Sequence, residues 1–387
     1  MINSKCHVLI PDGNSTWALT VMNCLSYNPD YKLFVLSDKK RTATKFSKHT
    51  SYYKYYKRPS DKDWADIIVR EVVTQNITVI IPIAEAEIKF FITNSHHLPD
   101  SVKVILLPEI NSFETAINKH KLSVFLNEHN LPHPKYKYLN TSESHSNHDF
   151  GLQFPVLIKP LHQKGGDGIL KFDTLKKLKR YVDKHSDYNE LFIQEYIEGY
   201  DIDCSVLCVE GEVLVHTIQK GYLRGHNAFA PQLGFKFLKN ERVLDIVTKL
   251  MKALNWSGVA HIDLRYDSKA DDYKIIEINA RFWGSVEGSK FAGINFPDLV
   301  IQLAVNQKIE DTEYKEVDYM RFKGVLKSIK RKPSFLLNKN YLINNSETKS
   351  FLKDPIPTCY KFIEWLGRQI NIILLLLGQE LTFYTIC

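Results

Sequence analysis

The chain has 387 residues, 44% hydrophobic and 25% charged, with 51 Lys and Arg against 44 Asp and Glu and a formal net charge of +7. That length predicts two or three lobes rather than one core, and the composition is that of an ordinary soluble globular protein. The modest, diffuse basicity suits small polyanions such as nucleotides, or an anionic membrane surface, and with no RNA- or DNA-binding signature beside it argues against nucleic acid.

Cysteines stand at 6, 24, 204, 208, 359 and 387, with no CxxC pair and no Cys/His metal spacing. Cys204 and Cys208 lie in an apolar strand-like run and are expected to be buried thiols. The N-terminus has no long apolar stretch of the kind that directs secretion. Together these features predict a cytoplasmic setting.

In chain order, residues 7–11 read as a short apolar strand ending in the turn Pro11-Asp12-Gly13, after which Ser15 or Thr16 caps a helix through Leu25. Residues 32–36 read as a strand and 64–75 as a helix with Ile67, Ile68 and Val72 on one face. Residues 78–83 and 102–107 are continuous apolar runs of the buried-parallel-sheet kind. Residues 1–115 therefore read as a doubly wound α/β domain. After its first strand stands Asp12-Gly13-Asn14-Ser15-Thr16 in place of G-x-G-x-x-G, which argues against a dinucleotide site. Residues 12–16 and 85–87, at the carboxyl ends of strands, are either a substrate site or helix caps.

A helix follows from Asn118 to Asn130 and stops at Leu131-Pro132-His133-Pro134. Residues 141–149, rich in Ser, His and Asn, read as a surface loop. Blocks 154–198, 200–265 and 274–305 mix strands with two amphipathic helices, 174–185 and 243–254.

Three stretches carry chemistry. The apolar strand 154–158 presents Lys159 at its end and runs into Leu161-His162-Gln163-Lys164-Gly165-Gly166-Asp167-Gly168. Glycines there let backbone amides approach a phosphate, and the preceding lysine strengthens a triphosphate reading over that of an ordinary turn. In Leu191-Phe192-Ile193-Gln194-Glu195-Tyr196-Ile197-Glu198-Gly199-Tyr200-Asp201, an adenine would lie against Ile193 and Ile197 and bond backbone near Gln194 to Ile197, with Asp201 accepting from ribose. Finally, 258–265 and 274–281 read as a hairpin closed by the polar linker 267–272, setting Asp263 beside Glu277. Strand alternation puts Glu277, Asn279 and Arg281 on one face, with Ile276 and Ile278 facing a core. Asp263, Glu277 and Asn279 are hard oxygen donors suited to magnesium, and Arg281 beside them suits phosphate.

Taken in order, these elements resemble the ATP-grasp superfamily, in particular its carbamoyl-phosphate-synthetase-like and carboxylate–amine ligase members. The resemblance runs from Asn118-Lys119 and Asn130-Leu131-Pro132-His133-Pro134 through Lys159-Pro160, Gly165 to Gly168 and Gln194 to Asp201 to Asp263, Glu277, Asn279 and Arg281. It departs from the family at Asn118, where Asp is usual, and at Asp201, where Glu is common. It implies a two-lobed ATP-grasp fold over 116–309, with a small ATP lobe at about 135–198 and a metal-binding lobe at about 200–309, and a helical extension over 310–387. It implies that Lys119 and Lys159 contact the phosphates of ATP, that Gly165, Gly166 and Gly168 close over them, and that Gln194, Glu195, Ile197 and Asp201 hold the nucleoside. Asp263, Glu277 and Asn279 would hold one or two Mg2+ ions (Mn2+ in their place), Glu277 bridging, with Arg281 on the transferring phosphoryl group. Residues 219–227 resemble the family's large mobile loop, from which Lys220 or Arg224 reaches the γ-phosphate or an acyl-phosphate. Trp283, Ser285 and Lys290 either line the acceptor pocket or, for Trp283, belong to the core.

The implied reaction joins a carboxylate and an amine through an acyl-phosphate, releasing ADP and phosphate. A bicarbonate-using carboxylase and a non-catalytic ATP sensor are the rivals. In the extension, 321–332 is basic and 360–377 is apolar at helical spacing. That segment is too interrupted to span a bilayer and is expected on the core, on a second copy in a homodimer, or in peripheral contact with a membrane.

Overall fold

Short apolar strands separated by amphipathic helices bury both faces by pairing in parallel. The computed structural model describes residues 6–58, 60–140, 150–161, 166, 168–184, 190–226, 229–310 and 312–376. Gly165 and the surface-loop expectation at 141–149 lie outside the described residues. β1 (Cys6–Ile10), β2 (Tyr31–Ser37), β3 (Thr50–Tyr55), β4 (Val79–Ile80) and β5 (Lys103–Val104) form a parallel sheet in the order β3-β2-β1-β4-β5. α1 (Ala18–Leu25) covers one face, while α2 (Asp61–Thr74) and α3 (Glu85–Asn94) cover the other. The doubly wound expectation holds. The helix start does not: α1 begins at Ala18 without a side-chain cap, because Ser15 N–H is taken by Asp12 O and residues 12–17 are spent in turns. The edge strand β3, half-exposed and tyrosine-rich, carried no alternation that marked it in advance.

α4 (Ile110–Ile117) and α5 (Lys119–Glu128) lead out of this sheet. Asn118 Oδ1 caps α5 by accepting from His120 N and Lys121 N, both at 3.0 Å, which places Lys119 at the helix start. A small antiparallel sheet follows, β6-β9-β7-β8, from β6 (Tyr136–Asn140), β7 (Val156–Lys159), β8 (Leu170–Phe172) and β9 (Glu190–Glu195), with α6 (Leu175–Lys184) against it. Leu139, Ile158, Leu178, Val182 and Ile193 form its own core. Ile193 therefore faces inward, which corrects the expectation that it supports an adenine.

The large antiparallel sheet runs β14-β13-β10-β11-β12-β15. Its members are β10 (Asp201–Val209), β11 (Glu212–Arg224), β12 (Gln232–Phe237), β13 (Gly258–Asp267), β14 (Asp272–Asn279) and β15 (Val317–Met320). α7 (Glu241–Ala253) packs on one face in a core that includes the buried Cys204 and Cys208. The other face shares a core with the first sheet, where Phe237, Phe282 and Trp283 meet Val8, Ile10 and Met22. α8 (Val286–Ala292) and α9 (Phe296–Ala304) complete that layer. The expected mobile loop at 219–227 is instead strand through Arg224, paired with β10 as far as Lys220 and with β12 as far as Arg224.

After β15 come α10 (Phe322–Arg331), α11 (Lys339–Asn344), α12 (Thr348–Lys353) and α13 (Pro355–Leu376). α13 rests on residues 43–46 through Phe46 and Tyr360, whose rings are 4.7 Å apart. No described helix is long and apolar enough to cross a membrane.

Candidate active site

A cleft of about 320 Å³ opens between the small sheet and the large one. Strand alternation aims its polar lining: Asp201 and Asp203 from β10, Gln219 from β11, and His261, Asp263 and Arg265 from β13. From the small sheet come Leu157, Lys159, Gln194 and Glu195 and, beyond it, Ile197; Lys119 enters from the start of α5.

Lys159 is buried and its Nζ donates to Gln194 Oε1 at 2.6 Å. Burial pushes its pKa down to about 8, against the pull of Glu277. Gly166 and Gly168 both have left-handed φ, +80° and +73°, and a side chain on Gly166 would strike the Phe229 carbonyl. Glu195 N–H bonds Lys135 O at 2.9 Å, and Ile197 O accepts from Arg265 Nε at 2.5 Å.

Asp201 lies in the cleft with both carboxylate oxygens engaged: Oδ1 accepts from Arg265, and Oδ2 from Arg224 and, at 3.0 Å, from Gln232 Nε2. A ribose hydroxyl would have to share these partners. Arg265 also reaches Gly199 O at 3.0 Å and Tyr196 OH at 3.2 Å, so one guanidinium ties the hinge 196–201 to β13. Lys220, by contrast, is on the opposite face of β11 from Gln219, its Nζ 3.5 Å from the centre of the Tyr200 ring. The expected approach of Lys220 to the phosphates is corrected by that alternation. Lys290 likewise covers the Tyr27 ring rather than the cleft.

β13 and β14 pair so that Asp263 is opposite Glu277 and His261 opposite Asn279. The register slips between Asp263 and Leu264, leaving Ile276 as an extra residue. Ile276 consequently lines the cleft with Glu277, while Ile275 and Ile278 enter the core, which corrects the simple alternation. Asn279 Nδ2 donates to Asp263 Oδ1 at 3.3 Å; Arg281 Nη2 donates to Asn279 Oδ1 at 2.6 Å, its Nη1 to Phe282 O at 2.8 Å, and its Nε lies 3.4 Å from Glu85. Glu85 thus brings the first sheet to the edge of the site.

Two residues escaped the sequence reading. Asp203 is paired across the ladder with Asp263, and His261 Nε2 lies 3.3 Å from Asp263 and 3.9 Å from Asp203. Ligand atoms of these three all fall within 4.8 Å of one another. His261 Nδ1 meets Ser205 Oγ at 2.8 Å, and its ring stacks on Trp283 at 5.3 Å. Trp283 is both core and cleft wall. The usable signal was positional: Asp203 and His261 each sit two residues from an acid already singled out.

Crowded carboxylates in a buried site cannot all ionise. Burial, then Glu277, pushes Asp263 well up; burial raises Asp203 to about 7, and burial holds His261 neutral, at about 3. Burial would raise Glu277 too, but Lys119 and Lys159 hold it below its ordinary range. The arrangement is a carboxylate pair with Glu277 as its ionised member, facing two lysines and one arginine.

The family described as "ATP-grasp in the biosynthetic pathway with Ter operon" matches residues 187–324. The carbamoyl phosphate synthase large chain of Thermoanaerobacter sp. is 26% identical over 222 residues, covering 54% of this chain and 20% of that protein. A D-alanine--D-alanine ligase of Hydrogenovibrio crunogenus is 27% identical over 160 residues, covering 38% of this chain and 50% of the ligase. This chain thus spans about a fifth of the first relative and half of the second. Among solved structures, the L-amino acid ligase from Bacillus licheniformis superposes with a TM-score of 0.57 at 19% identity, over 78% of this chain and 73% of that one, which shows the shared fold. The family match over residues 187–324, the relatives and the shared fold agree with the ordered motifs and together support the ATP-grasp superfamily.

Proposed function

We propose that the chain is an ATP-dependent carboxylate–amine ligase working through an acyl-phosphate. The observation that carries this reading is the opposed pair Asp263 and Glu277, flanked by Asn279 and Arg281 and faced by Lys159 and Lys119 from the other side of the cleft. A divalent cation fits that donor set: two buried carboxylates and an amide oxygen are hard ligands, and such an ion would let both carboxylates carry charge side by side. Asp263, Glu277 and Asn279 would hold Mg2+, or Mn2+ in its place, which when bound neutralises β- and γ-phosphate charge.

The side chains do the remaining work. Lys159 and Lys119 hold the phosphates, and Leu157 with the backbone of 195–197 walls the nucleoside. Asp201 orders the hinge with Arg224 and Arg265 and shares those partners with the ribose. Arg281, anchored by Asn279 and Glu85, faces the developing charge as a substrate carboxylate oxygen attacks the γ-phosphorus and ADP departs. An amine then attacks the acyl carbon, the C–N bond forms, and inorganic phosphate leaves with its C–O bond broken. No protein nucleophile is required, because positioning and charge neutralisation carry the reaction.

The test is a coupled ADP-release screen over carboxylate and amine pairs, with product masses recorded. Glu277→Gln should lower turnover about a hundred- to thousandfold, the loss expected for one preorganised electrostatic group, with an unchanged circular dichroism spectrum. Undiminished turnover removes the metal assignment. Tight Mg–ATP binding without ADP release from any pair would favour the sensor reading, and release driven by bicarbonate alone the carboxylase.

For the extension we propose a peripheral membrane contact, on the grounds of its charge and its exposed apolar side chains. Residues 321–368 hold eleven Lys and Arg against three Asp and Glu, a surplus of eight, whereas the whole chain's surplus is seven. Leu336 and Leu337, 52% and 80% exposed, are bracketed in sequence by Lys330, Arg331 and Lys332 on one side and Lys339 on the other. Apolar tips beside cations are the chemistry that an anionic bilayer surface takes.

A further inference from the structure

Past Arg281 the cleft is closed by three segments that are distant in sequence. Trp17 comes from the turn before α1, Gly284 and Ser285 follow β14, and Arg321 stands at the start of α10. The Arg321 guanidinium carbon lies 5.0 Å from the centre of the Trp17 ring. Gly284 sits between them: a Cβ there would be 2.9 Å from Trp17 Cη2 and 3.0 Å from Arg321 Nη1, so any side chain would push the two off the cleft wall.

The four arginines of the lining differ in occupation. Arg224 and Arg265 bond Asp201, and Arg281 bonds Asn279 and Phe282 O. Arg321 makes no side-chain hydrogen bond to a described residue, although only 17% of its side chain is exposed and its Nε is fully buried. Glu347 lies 3.5 Å from that Nε, beyond a good hydrogen bond, and its other oxygen accepts from Phe322 N at 2.8 Å. Glu347 therefore balances the charge without filling the guanidinium fork. Beside it, the buried Trp283 Nε1 also has no partner among the described residues.

A buried, charge-balanced guanidinium with open donors is an unfinished anion site. We infer that Arg321, floored by Trp17, binds a free carboxylate of the acceptor substrate that does not itself react, so that the acceptor is an amino acid or another small organic acid. A planar fork matches a planar monoanion in two parallel hydrogen bonds, and the nearby Glu347 carboxylate disfavours a dianionic phosphate. Trp17 and Gly284 leave a flat, apolar floor for the body of a small molecule. This rests on the ligase reading above, and it gives the start of the extension a part in selecting the substrate.

The test is a thermal-shift titration of the full chain loaded with Mg–ADP. The probes are glycine, L- and D-alanine, L-glutamate and succinate, each run beside its carboxamide. At least one free acid should raise the melting temperature while its amide does not, and Arg321→Gln should weaken that acid roughly ten- to hundredfold, the range for a charge-assisted hydrogen-bonded pair, while the shift given by Mg–ADP itself persists. Acid and amide acting alike, no acid acting, or an unaffected Arg321→Gln would overturn the assignment. If Arg321→Gln does not fold, Glu347→Gln decides: removing the competing carboxylate should tighten the acid several-fold, and an equal or weaker affinity overturns it. Loss of the Mg–ADP shift in the parent chain would strike the nucleotide reading instead, so the two failures are distinct.

Discussion

In the proposed nucleotide site, Lys159 would link stability to nucleotide binding through one buried residue. Its ammonium is charged in folded and unfolded chains below pH 8, so the full cost of burying it is then present. Between about 8, its folded value, and its ordinary 10.5, the unfolded chain holds the extra proton, and stability rises with pH across that window. Nucleotide affinity moves the opposite way, since the phosphates need the charge. Mg–ADP binding by calorimetry should weaken as pH rises past about 8. Lys159→Met should bind weakly at every pH, lose that dependence, and melt at a higher temperature at pH 7 than the parent. A parent affinity flat from pH 7 to 10 would contradict the placement of Lys159 on the phosphates. Glu277 and Asp263 obey the same logic with the sign reversed between them: like neighbours split a buried pair, and the lysines decide which member stays ionised.

At the scale of elements, the metal-type hairpin was legible in the sequence because a strand has period two, so Glu277, Asn279 and Arg281 recur at every second residue. What the period could not reveal was the bulge at Ile276, which needs two residues of β14 to face one gap in β13. The loop expected at 219–227 failed for a related reason: a polar, glycine-bearing run looks mobile until a neighbouring strand, here β12 as far as Arg224, supplies its hydrogen bonds. Gly258, at the start of β13, has φ +88°, and a Cβ there would run into the Leu106 carbonyl beyond β5. Gly258→Ala should cost about 1–3 kcal/mol of strain or more where the two sheets meet, read as a lowered denaturant midpoint. A midpoint unchanged within error would mean that this junction yields without cost.

Over the whole molecule, charge is partitioned. The surplus of eight in residues 321–368 exceeds the chain's +7, so everything outside that segment is close to neutral. Flotation with vesicles of about one-third phosphatidylserine should carry the full chain upward at low salt and release it at 0.5 M, where screening shortens to a few Å. Leu336→Ser with Leu337→Ser should weaken the binding several-fold, whereas neutral phosphatidylcholine vesicles should leave the protein at the bottom. Binding indifferent to lipid charge would contradict a basic docking surface.

The order of the motifs and the side chains they carry were open to reading along the chain, because carboxylates, lysines and glycines at strand and turn spacings are local patterns. Six lysines or acids found this way, Lys119, Lys159, Glu195, Asp201, Asp263 and Glu277, do line one cleft. Asp203 and His261 became visible only across the ladder, where pairing puts them beside Asp263. Arg321 and Trp17 needed still more, since 304 positions separate them and only the packing of an extension against the first sheet brings guanidinium to indole. Side-chain chemistry is written residue by residue, but which open donor faces which empty wall depends on how sheets, cores and termini close around one another.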